Sequence, residues 1–256
     1  AYRLAFADPE FLLRRETRGI PIQLELLKPD IDQMAAGIEN TVVVYGSARI
    51  RSPEDADAAL AAASAQSDPD LVAQAQRDVR NARYYEHARR FGALVAAYSA
   101  GRPASEQLYV ATGGGPGIME AANRGAHEQG AATIGLNIAL PHEQHANPYV
   151  TPALSFKFHY FALRKMHFLM RAKALVAFPG GFGTLDEFFE VITLVQTGKA
   201  KPLPIVLFGS DYWSRLINFD VLLEMGTISP QDLELFTCVD TPEAIWDTIK
   251  AFYDLT

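Results

Sequence analysis

The sequence predicts an α/β fold, a doubly wound (Rossmann-like) parallel sheet flanked by helices on both faces. Short aliphatic and β-branched runs recur along the 256 residues, and stretches with the period of a helix lie between them. This alternation is typical of parallel βαβ units. Hydrophobic residues make up 49% of the chain and charged residues 21%, which allows a sizeable core in one domain spanning 1–256.

The predicted strands and helices follow one another in a regular order. In sheets of this kind, ligands bind outside the carboxyl ends of the strands, so a site is expected in the loops that follow the strands. The predicted strands lie at 41–45, 108–111, 132–136, 174–178 and 204–208, and the predicted helices at 78–98, 117–129, 159–173 and 185–196.

Two segments lie outside this alternation. Residues 1–40 carry no strong strand signal and are expected to form an N-terminal extension of one or two helices on the outside of the sheet. Residues 51–83 are rich in Ala, Asp, Gln and Arg, which predicts a helical insertion that Asp68 and Pro69 interrupt. This insertion is interpreted either as an oligomer contact or as a solvated helix without a partner.

The overall charge argues against two classes of partner. A formal net charge of -7 and a pI near 5.4 favour binding to neither nucleic acid nor an anionic membrane.

The single cysteine, Cys238, permits no intramolecular disulfide, and no apolar run is long enough to cross a bilayer. The N-terminus lacks a secretory pattern, so a cytoplasmic location is expected.

Three predicted strands run into glycine-rich loops. The first ends in Gly46 and Ser47, the second in the sequence TGGGPG at 112–117, and the fourth in PGGFGT at 179–184. Glycines let backbone N–H groups approach a ligand, and a following helix N-terminus favours an anion such as phosphate. Each loop alone is more often a tight turn, but three loops at one edge of a sheet indicate an anion-binding crevice.

Two familiar phosphate motifs do not match. The P-loop pattern GxxxxGK[ST] is absent. The dinucleotide pattern GxGxxG fails at Gly113, because Ile118 occupies the place of its last glycine and Asn137 lies near the position of the ribose-binding carboxylate. A mononucleotide is therefore a better fit than NAD.

The start of the helix predicted at 185–196 is unusually acidic. Thr184 and Glu187 fit a capping box, in which both side chains only satisfy the first amides of the helix. Asp186 and Glu190 are interpreted as solvated groups at the helix end. Because acids beside an anion site need cations to balance them, Arg164 and Lys165 on the preceding helix are the expected counterweights; a solvated face is expected for His167 and Arg171.

These motifs resemble those of the LOG (Lonely Guy) family. The segment PGGFGTLDE at 179–187 is similar to the family signature PGGxGTxxE, and it follows Arg164 and Lys165 as in the family. The segment GGGPGIME at 113–120 resembles the second glycine motif of the family, and the resemblance extends over about 41–208. The segment LPHEQ at 140–144 with NPY at 147–149 resembles the longer bacterial branch.

The resemblance implies an N-glycosidase. Such an enzyme would hydrolyse the N-glycosidic bond of cytokinin riboside 5'-monophosphate, AMP or both, and release the free base and ribose 5-phosphate. Breaking this bond builds oxocarbenium-like charge on the ribose, which a nearby carboxylate stabilises while it helps to activate water. By resemblance, Glu187 is the catalytic carboxylate and Arg164 orients it and the nucleotide. The implied nucleotide- and phosphate-binding residues are Gly46, Ser47, Gly113, Gly114, Gly115, Met119, Lys165, Gly180, Gly181, Gly183 and Thr184.

Several other interpretations accompany this one. A non-catalytic carrier of a nucleotide or of molybdenum cofactor with the same fold is the alternative function. The label "lysine decarboxylase", often attached to the family, is rejected, because only Lys165 suggests a pyridoxal phosphate site and no partner for the ring nitrogen is evident. No cofactor is expected. A zinc site is not expected either, because HEQH at 142–145 is one residue short of HExxH.

The resemblance also implies a homodimer or a larger homo-oligomer. The apolar residues Phe188, Phe189, Ile192 and Val195 form a stripe that is interpreted as the buried face of an amphipathic helix. A subunit interface is the other interpretation of this stripe. The sequence does not distinguish AMP from cytokinin nucleotides as the substrate.

Overall fold

The computed structural model describes residues 2–66, 68–139 and 145–255. The described chain contains a seven-stranded, all-parallel sheet with the strand order β4-β3-β2-β1-β5-β6-β7. The predicted fold class is confirmed. The motif at 140–144 and most of the HEQH segment lie outside the described residues.

Five strands match predicted ones, and two short ones were not predicted. β4 alternates exposed and buried residues in the sequence SFKF, and β7 has only three residues; both lie at edges of the sheet, where one neighbour is missing and the apolar signal is weak. The strands are β1 (Thr41–Tyr45), β2 (Tyr109–Thr112), β3 (Ile134–Ile138), β4 (Ser155–Phe158), β5 (Ala172–Ala177), β6 (Ile205–Phe208) and β7 (Thr237–Val239).

The helices begin close to residues that favour helix starts. Asp68 accepts hydrogen bonds from the amides of Asp70 and Leu71 and caps a helix whose first residue is Pro69, so the predicted break marks a helix start. That helix continues unbroken past residue 83. The helices are α1 (Pro9–Leu12), α2 (Gly19–Ala35), α3 (Pro53–Gln66), α4 (Pro69–Ser99), α5 (Ile118–Glu128), α6 (Phe161–Met170), α7 (Phe182–Gln196), α8 (Ser210–Leu216), α9 (Phe219–Glu224) and α10 (Pro242–Tyr253).

The sheet separates two apolar cores. Val42 and Val44 of β1 pack on one side with residues of α4, α5 and α10, and Val43 and Tyr45 pack on the other side with residues of α6, α7 and α8. Successive side chains of a strand point to opposite faces, so a strand buried on both faces reads as a continuous apolar run. No helix in the described ranges has the length and apolar character that crossing a bilayer requires.

The N-terminal extension packs against α6. The Glu25 carboxylate of α2 accepts hydrogen bonds from the amides of His159 (3.0 Å) and Tyr160 (3.2 Å) at the start of α6. His167 Nε2 lies 3.1 Å from the Glu25 carbonyl oxygen, and Arg171 pairs with Asp30 at 2.7 Å. The solvated face predicted for His167 and Arg171 is therefore wrong, because α2 covers both side chains.

Candidate functional site

Three glycine-rich loops meet at one edge of the sheet. β1 has β2 on one side and β5 on the other, so the strand order reverses at β1 and leaves a crevice at the carboxyl ends of these strands. The loops after β1, β2 and β5 line a cavity of about 680 Å³, here called the loop cavity. The sequence predicted this convergence of loops from the strand ends alone.

Most of the predicted site residues line the loop cavity. Gly114 and Lys165 do not, although the structure describes both. The lining includes Gly46, Ser47, Gly113, Gly115, Met119, Arg164, Gly180, Gly181, Gly183, Thr184 and Glu187.

The N-terminus of α7 opens onto the loop cavity. α7 begins at Phe182 with Gly181 as its N-cap, and no side chain caps it. Thr184 therefore lies inside the helix, and the capping box that Thr184 and Glu187 could have formed is absent from this described segment. The first turn of α7 lines the cavity and places the positive end of the helix dipole there.

Two glycines allow the loops to approach one another. A Cβ at Gly180 would lie 2.1 Å from Thr184 Oγ1 and 3.1 Å from the Ser47 amide nitrogen. Gly117 has a φ of +73°, and a Cβ there would lie 2.4 Å from the Ser47 carbonyl oxygen. Any larger residue at either position would force the loops apart.

Arg164 and Glu187 form a buried ion pair in the wall of the loop cavity. Arg164 Nη2 donates to Glu187 Oε1 at 2.6 Å, and the exposed fractions of the two side chains are 10% and 11%. The guanidinium carbon of Arg164 lies 5.2 Å from the ring centre of Phe161 and 5.6 Å from that of Phe168. Arg164 Nε is buried and has no hydrogen-bond partner among the described residues.

The surroundings of Glu187 raise the pKa of its carboxyl group into the neutral range. Burial raises the pKa of the Glu187 carboxyl to about 7, although Arg164 opposes the shift. Among the weaker influences, Asp186 and Glu190 raise this pKa and Lys165 lowers it. A carboxyl group with such a pKa can exchange a proton at neutral pH.

Lys165 balances two acids of α7, as its expected role of counterweight requires, but it does not line the loop cavity. Its Nζ lies 2.8 Å from Glu190 Oε2 and 3.2 Å from Asp186 Oδ2 on α7. The Asp186 side chain is 58% exposed, so its expected solvated position is confirmed, whereas Glu190 is half-buried beside Lys165. Burial lowers the pKa of Lys165, but its hydrogen bonds to Glu190 and Asp186 outweigh burial and leave the pKa raised.

A buried polar network supports the loop after β2, and sequence reasoning did not identify it. Asn147 Nδ2 donates to the Gly115 carbonyl oxygen and to Asn123 Oδ1, each at 3.0 Å. Thr112 Oγ1 donates to the same Asn123 oxygen at 2.7 Å and accepts from the Gly114 amide at 2.9 Å. Gly114 therefore supports the loop from outside the lining. Local sequence gives no signal for such distant pairs.

Tyr212 also contacts the candidate site, and the sequence analysis does not predict it. It lies on α8 after β6, lines the loop cavity, and donates from its hydroxyl to the Gly180 carbonyl oxygen at 2.5 Å. The sequence could have indicated Tyr212, because this residue follows the carboxyl end of β6, another parallel strand, where ligands bind in sheets of this kind. Tyr212 thus anchors the loop at 179–184 from the neighbouring segment of the sheet.

A family model described as "Possible lysine decarboxylase" matches residues 119–249, just over half of the chain. The curated relatives with significant similarity include cytokinin riboside 5'-monophosphate phosphoribohydrolase LOG3 of Arabidopsis thaliana, 31% identical over 144 residues. The chain belongs to the LOG family. The resemblance inferred from the glycine motifs is confirmed.

The match to LOG relatives is partial. The alignment with LOG3 covers 55% of this chain and 65% of that protein. The probable phosphoribohydrolase LOGL3 of Oryza sativa subsp. japonica is 33% identical over 90 residues, which are 35% of this chain and 43% of the relative. The chain thus spans about half the length of these curated relatives.

Solved structures share the fold. The molybdenum cofactor binding protein of Rippkaea orientalis superposes with a TM-score of 0.50 at 17% sequence identity. The superposition covers 84% of this chain and 98% of that protein. The Moco carrier protein of Chlamydomonas reinhardtii superposes with a TM-score of 0.50 at 18% sequence identity, over 85% of this chain and 99% of that protein. At such identity the similarity establishes the fold alone.

Proposed function

We propose that this LOG-family chain hydrolyses the N-glycosidic bond of an adenine-type nucleoside 5'-monophosphate to the free base and ribose 5-phosphate. The observation that carries the proposal is the buried Arg164–Glu187 pair in the wall of the cavity that the glycine loops line. One cavity thereby combines an anion-binding helix N-terminus with a carboxylate of raised pKa. The names of the LOG relatives support the same reaction.

The spacing of residues along α7 relates the proposed phosphate position, at the first turn of the helix, to the proposed ribose position, at Glu187. Thr184 and Glu187 are three residues apart on a helix and therefore lie on the same face. A 5'-phosphate at the first turn of α7, with Gly180, Gly181 and Gly183 around it, brings the ribose of the nucleotide near Glu187. The phosphate thus determines which sugar carbon meets the carboxylate.

In the proposed reaction, the bond between C1' and the base breaks, the oxygen of a water molecule bonds to C1', and the leaving base takes up one proton from solvent, to which Glu187 later releases the proton it accepts. The ionised Glu187 stabilises the positive charge that develops on the sugar and then accepts the proton of the attacking water. Arg164 holds Glu187 in place and balances its charge.

Two substrates fit this scheme. Cytokinin riboside 5'-monophosphate and AMP share the ribose, the phosphate and the adenine ring, and they differ at N6 of the base. The contacts proposed above involve only the shared groups. The names of the relatives favour the cytokinin nucleotide.

Two other activities fit less well. A carrier of a nucleotide or of molybdenum cofactor would need the glycine loops but not a buried carboxylate at the bond to be cut; two solved structures of this fold are named as a binding protein and a carrier of molybdenum cofactor. Pyridoxal phosphate chemistry needs a lysine that can become a free amine. Lys165 does not fit that role, because Asp186 and Glu190 keep it protonated.

Chromatography of the products tests the proposal. Purified protein is incubated with AMP and, separately, with N6-isopentenyl-adenosine 5'-monophosphate. We expect release of base and ribose 5-phosphate, and a loss of about a hundredfold or more in kcat for Glu187→Gln, the scale of general acid–base catalysis. The control is Glu224→Gln, an exposed carboxylate on α9.

The two substrates also decide between the remaining alternatives. Faster release from the N6-substituted nucleotide indicates cytokinin metabolism, and equal rates indicate general adenine nucleotide hydrolysis. If both nucleotides bind but neither is cleaved, the enzyme assignment is wrong and the carrier function takes its place.

A further inference from the structure

A second cavity of about 550 Å³ adjoins the loop cavity, and we call it the adjoining cavity. The two cavities share four lining residues, Ser47, Gly180, Tyr212 and Leu216. The remaining lining comes from the loop after β1, from Pro179, from α4 and from α8: Ile50, Pro179, Asn81, Arg83, Tyr84, Asp211 and Arg215.

The adjoining cavity extends from the loop at 179–184 without reaching the ion pair. Arg164 and Glu187 line the loop cavity but not the adjoining one, whereas Ser47 and Gly180 line both. In the proposed function, the 5'-phosphate lies at Gly180 and the ribose lies toward Glu187. A group attached to the far side of that phosphate therefore enters the adjoining cavity.

The lining of the adjoining cavity carries a positive charge. The Arg83 guanidinium lies 4.8 Å from the ring centre of Tyr84, donates to the Tyr84 hydroxyl at 3.1 Å, and pairs with no carboxylate in the described ranges. Arg215 contacts Asp211 at 3.4 Å, and both side chains are 79% exposed. Two arginines against one aspartate leave a net charge of +1 facing the cavity.

We propose that the adjoining cavity binds a second phosphate, so that the site accepts nucleoside 5'-diphosphates as ligands. This inference rests on the proposed function, because the α-phosphate must lie at Gly180 for the β-phosphate to reach Arg83. Arginine guanidinium groups bind phosphate oxygens with charge-assisted hydrogen bonds. The cavity volume lies within the range of small-molecule sites and exceeds the space that one phosphate needs.

Calorimetric titration with ADP and AMP tests the proposal on the Glu187→Gln background, in which turnover is expected to be at least about a hundredfold slower. We expect ADP to bind about tenfold more tightly than AMP. Because an exposed ion pair contributes up to about fivefold in affinity, Arg83→Gln is expected to lower the ratio of ADP to AMP affinity about fivefold, and the Arg83→Gln, Arg215→Gln double variant about tenfold.

The matched control is Arg77→Gln, an exposed arginine of α4 that does not line the cavity. It removes the same charge and is expected to leave the affinity ratio unchanged. The proposal is overturned if ADP binds no more tightly than AMP to the starting protein, or if Arg77→Gln lowers the ratio as much as Arg83→Gln does.

The two proposals can fail separately. Cleavage of AMP without preferential binding of ADP leaves the hydrolase in place and removes the second phosphate site. Preferential binding of ADP that depends on Arg83, without cleavage of any nucleotide, supports the phosphate site in a protein that binds nucleotides but does not hydrolyse them.

Discussion

At the scale of single residues, the chemistry of the site depends on how Glu187 is surrounded. Its neighbour Arg164 favours the charged form, whereas burial and the carboxylates of Asp186 and Glu190 favour the neutral form. Burial is the largest of these influences, and the pKa rises from 4.5 to about 7. The same carboxyl is therefore expected to influence both activity and stability near neutral pH.

The raised pKa of Glu187 predicts a pH-dependent cost to stability. Between about pH 4.5 and 7 the folded chain binds more protons than the unfolded chain, so the free energy of unfolding decreases as the pH rises. Glu187→Gln removes this effect. We expect the stability of the variant relative to the native protein to rise by about 2 to 3 kcal/mol between pH 5 and pH 8.

Urea denaturation of both proteins at pH 5, 6, 7 and 8 measures this difference. Glu224→Gln, which removes an exposed carboxylate outside the site, serves as the control. A difference between the native protein and Glu187→Gln that stays constant with pH would contradict the pKa assigned to Glu187.

At the scale of elements, α4 and α5 touch backbone to backbone through two glycines. A Cβ at Gly92 would lie 2.2 Å from the Ala122 carbonyl oxygen, and one at Gly125 would lie 1.8 Å from the Arg89 carbonyl oxygen. α5 follows directly after the glycine loop at 112–117, so this contact also determines where that loop lies. The two helices can pack so closely only because both positions lack a side chain.

Gly125→Ala is therefore expected to destabilise the fold. The added methyl group meets backbone that cannot rotate away, so the helices must separate, at a cost of about 1 to 3 kcal/mol. The matched control is Gly19→Ala in α2, where a Cβ meets nothing within 4 Å. There we expect no loss, because alanine favours a helix over glycine. Thermal denaturation of both variants measures the difference, and equal melting temperatures would refute the close contact.

At the scale of the whole molecule, α2 presents an apolar stripe to solvent. Its members are 43% to 65% exposed and follow a 4-3-4-3 spacing, the pattern of a helix that packs against another helix. Contiguous exposed apolar residues of this kind mark an interaction surface. The stripe consists of Ile20, Leu24, Leu27, Ile31 and Met34.

We propose that this stripe joins two copies of the chain, in line with the homo-oligomer that the resemblance implies. Leu27→Lys places a charge in the middle of the stripe and is expected to shift the protein toward a monomer, which light scattering after size-exclusion chromatography measures. Met225→Lys changes an exposed apolar residue outside the stripe and is expected to leave the mass unchanged. A native protein that is already monomeric at micromolar concentration would rule out the interface.

The sequence by itself determined the architecture and the meeting point of the three glycine-rich loops that form the candidate site. Strand runs, helical periods and glycines are local signals, and parallel strands bring their carboxyl ends to one edge, so the convergence of three loops followed without coordinates. The Arg164 and Glu187 pair was also predicted, from the family motif. β4 and β7 were missed because edge strands are short and only partly buried.

Only the tertiary structure decided which distant residues meet. Lys165 was expected both to balance the acids at the start of α7 and to line the nucleotide site, and the tertiary structure shows only the first, its pairing with Asp186 and Glu190. Glu25 contacts the start of α6 across 134 residues, and Asn147 reaches the glycine loop across 32. Such contacts depend on strand order and helix packing, and no local pattern in the chain encodes them.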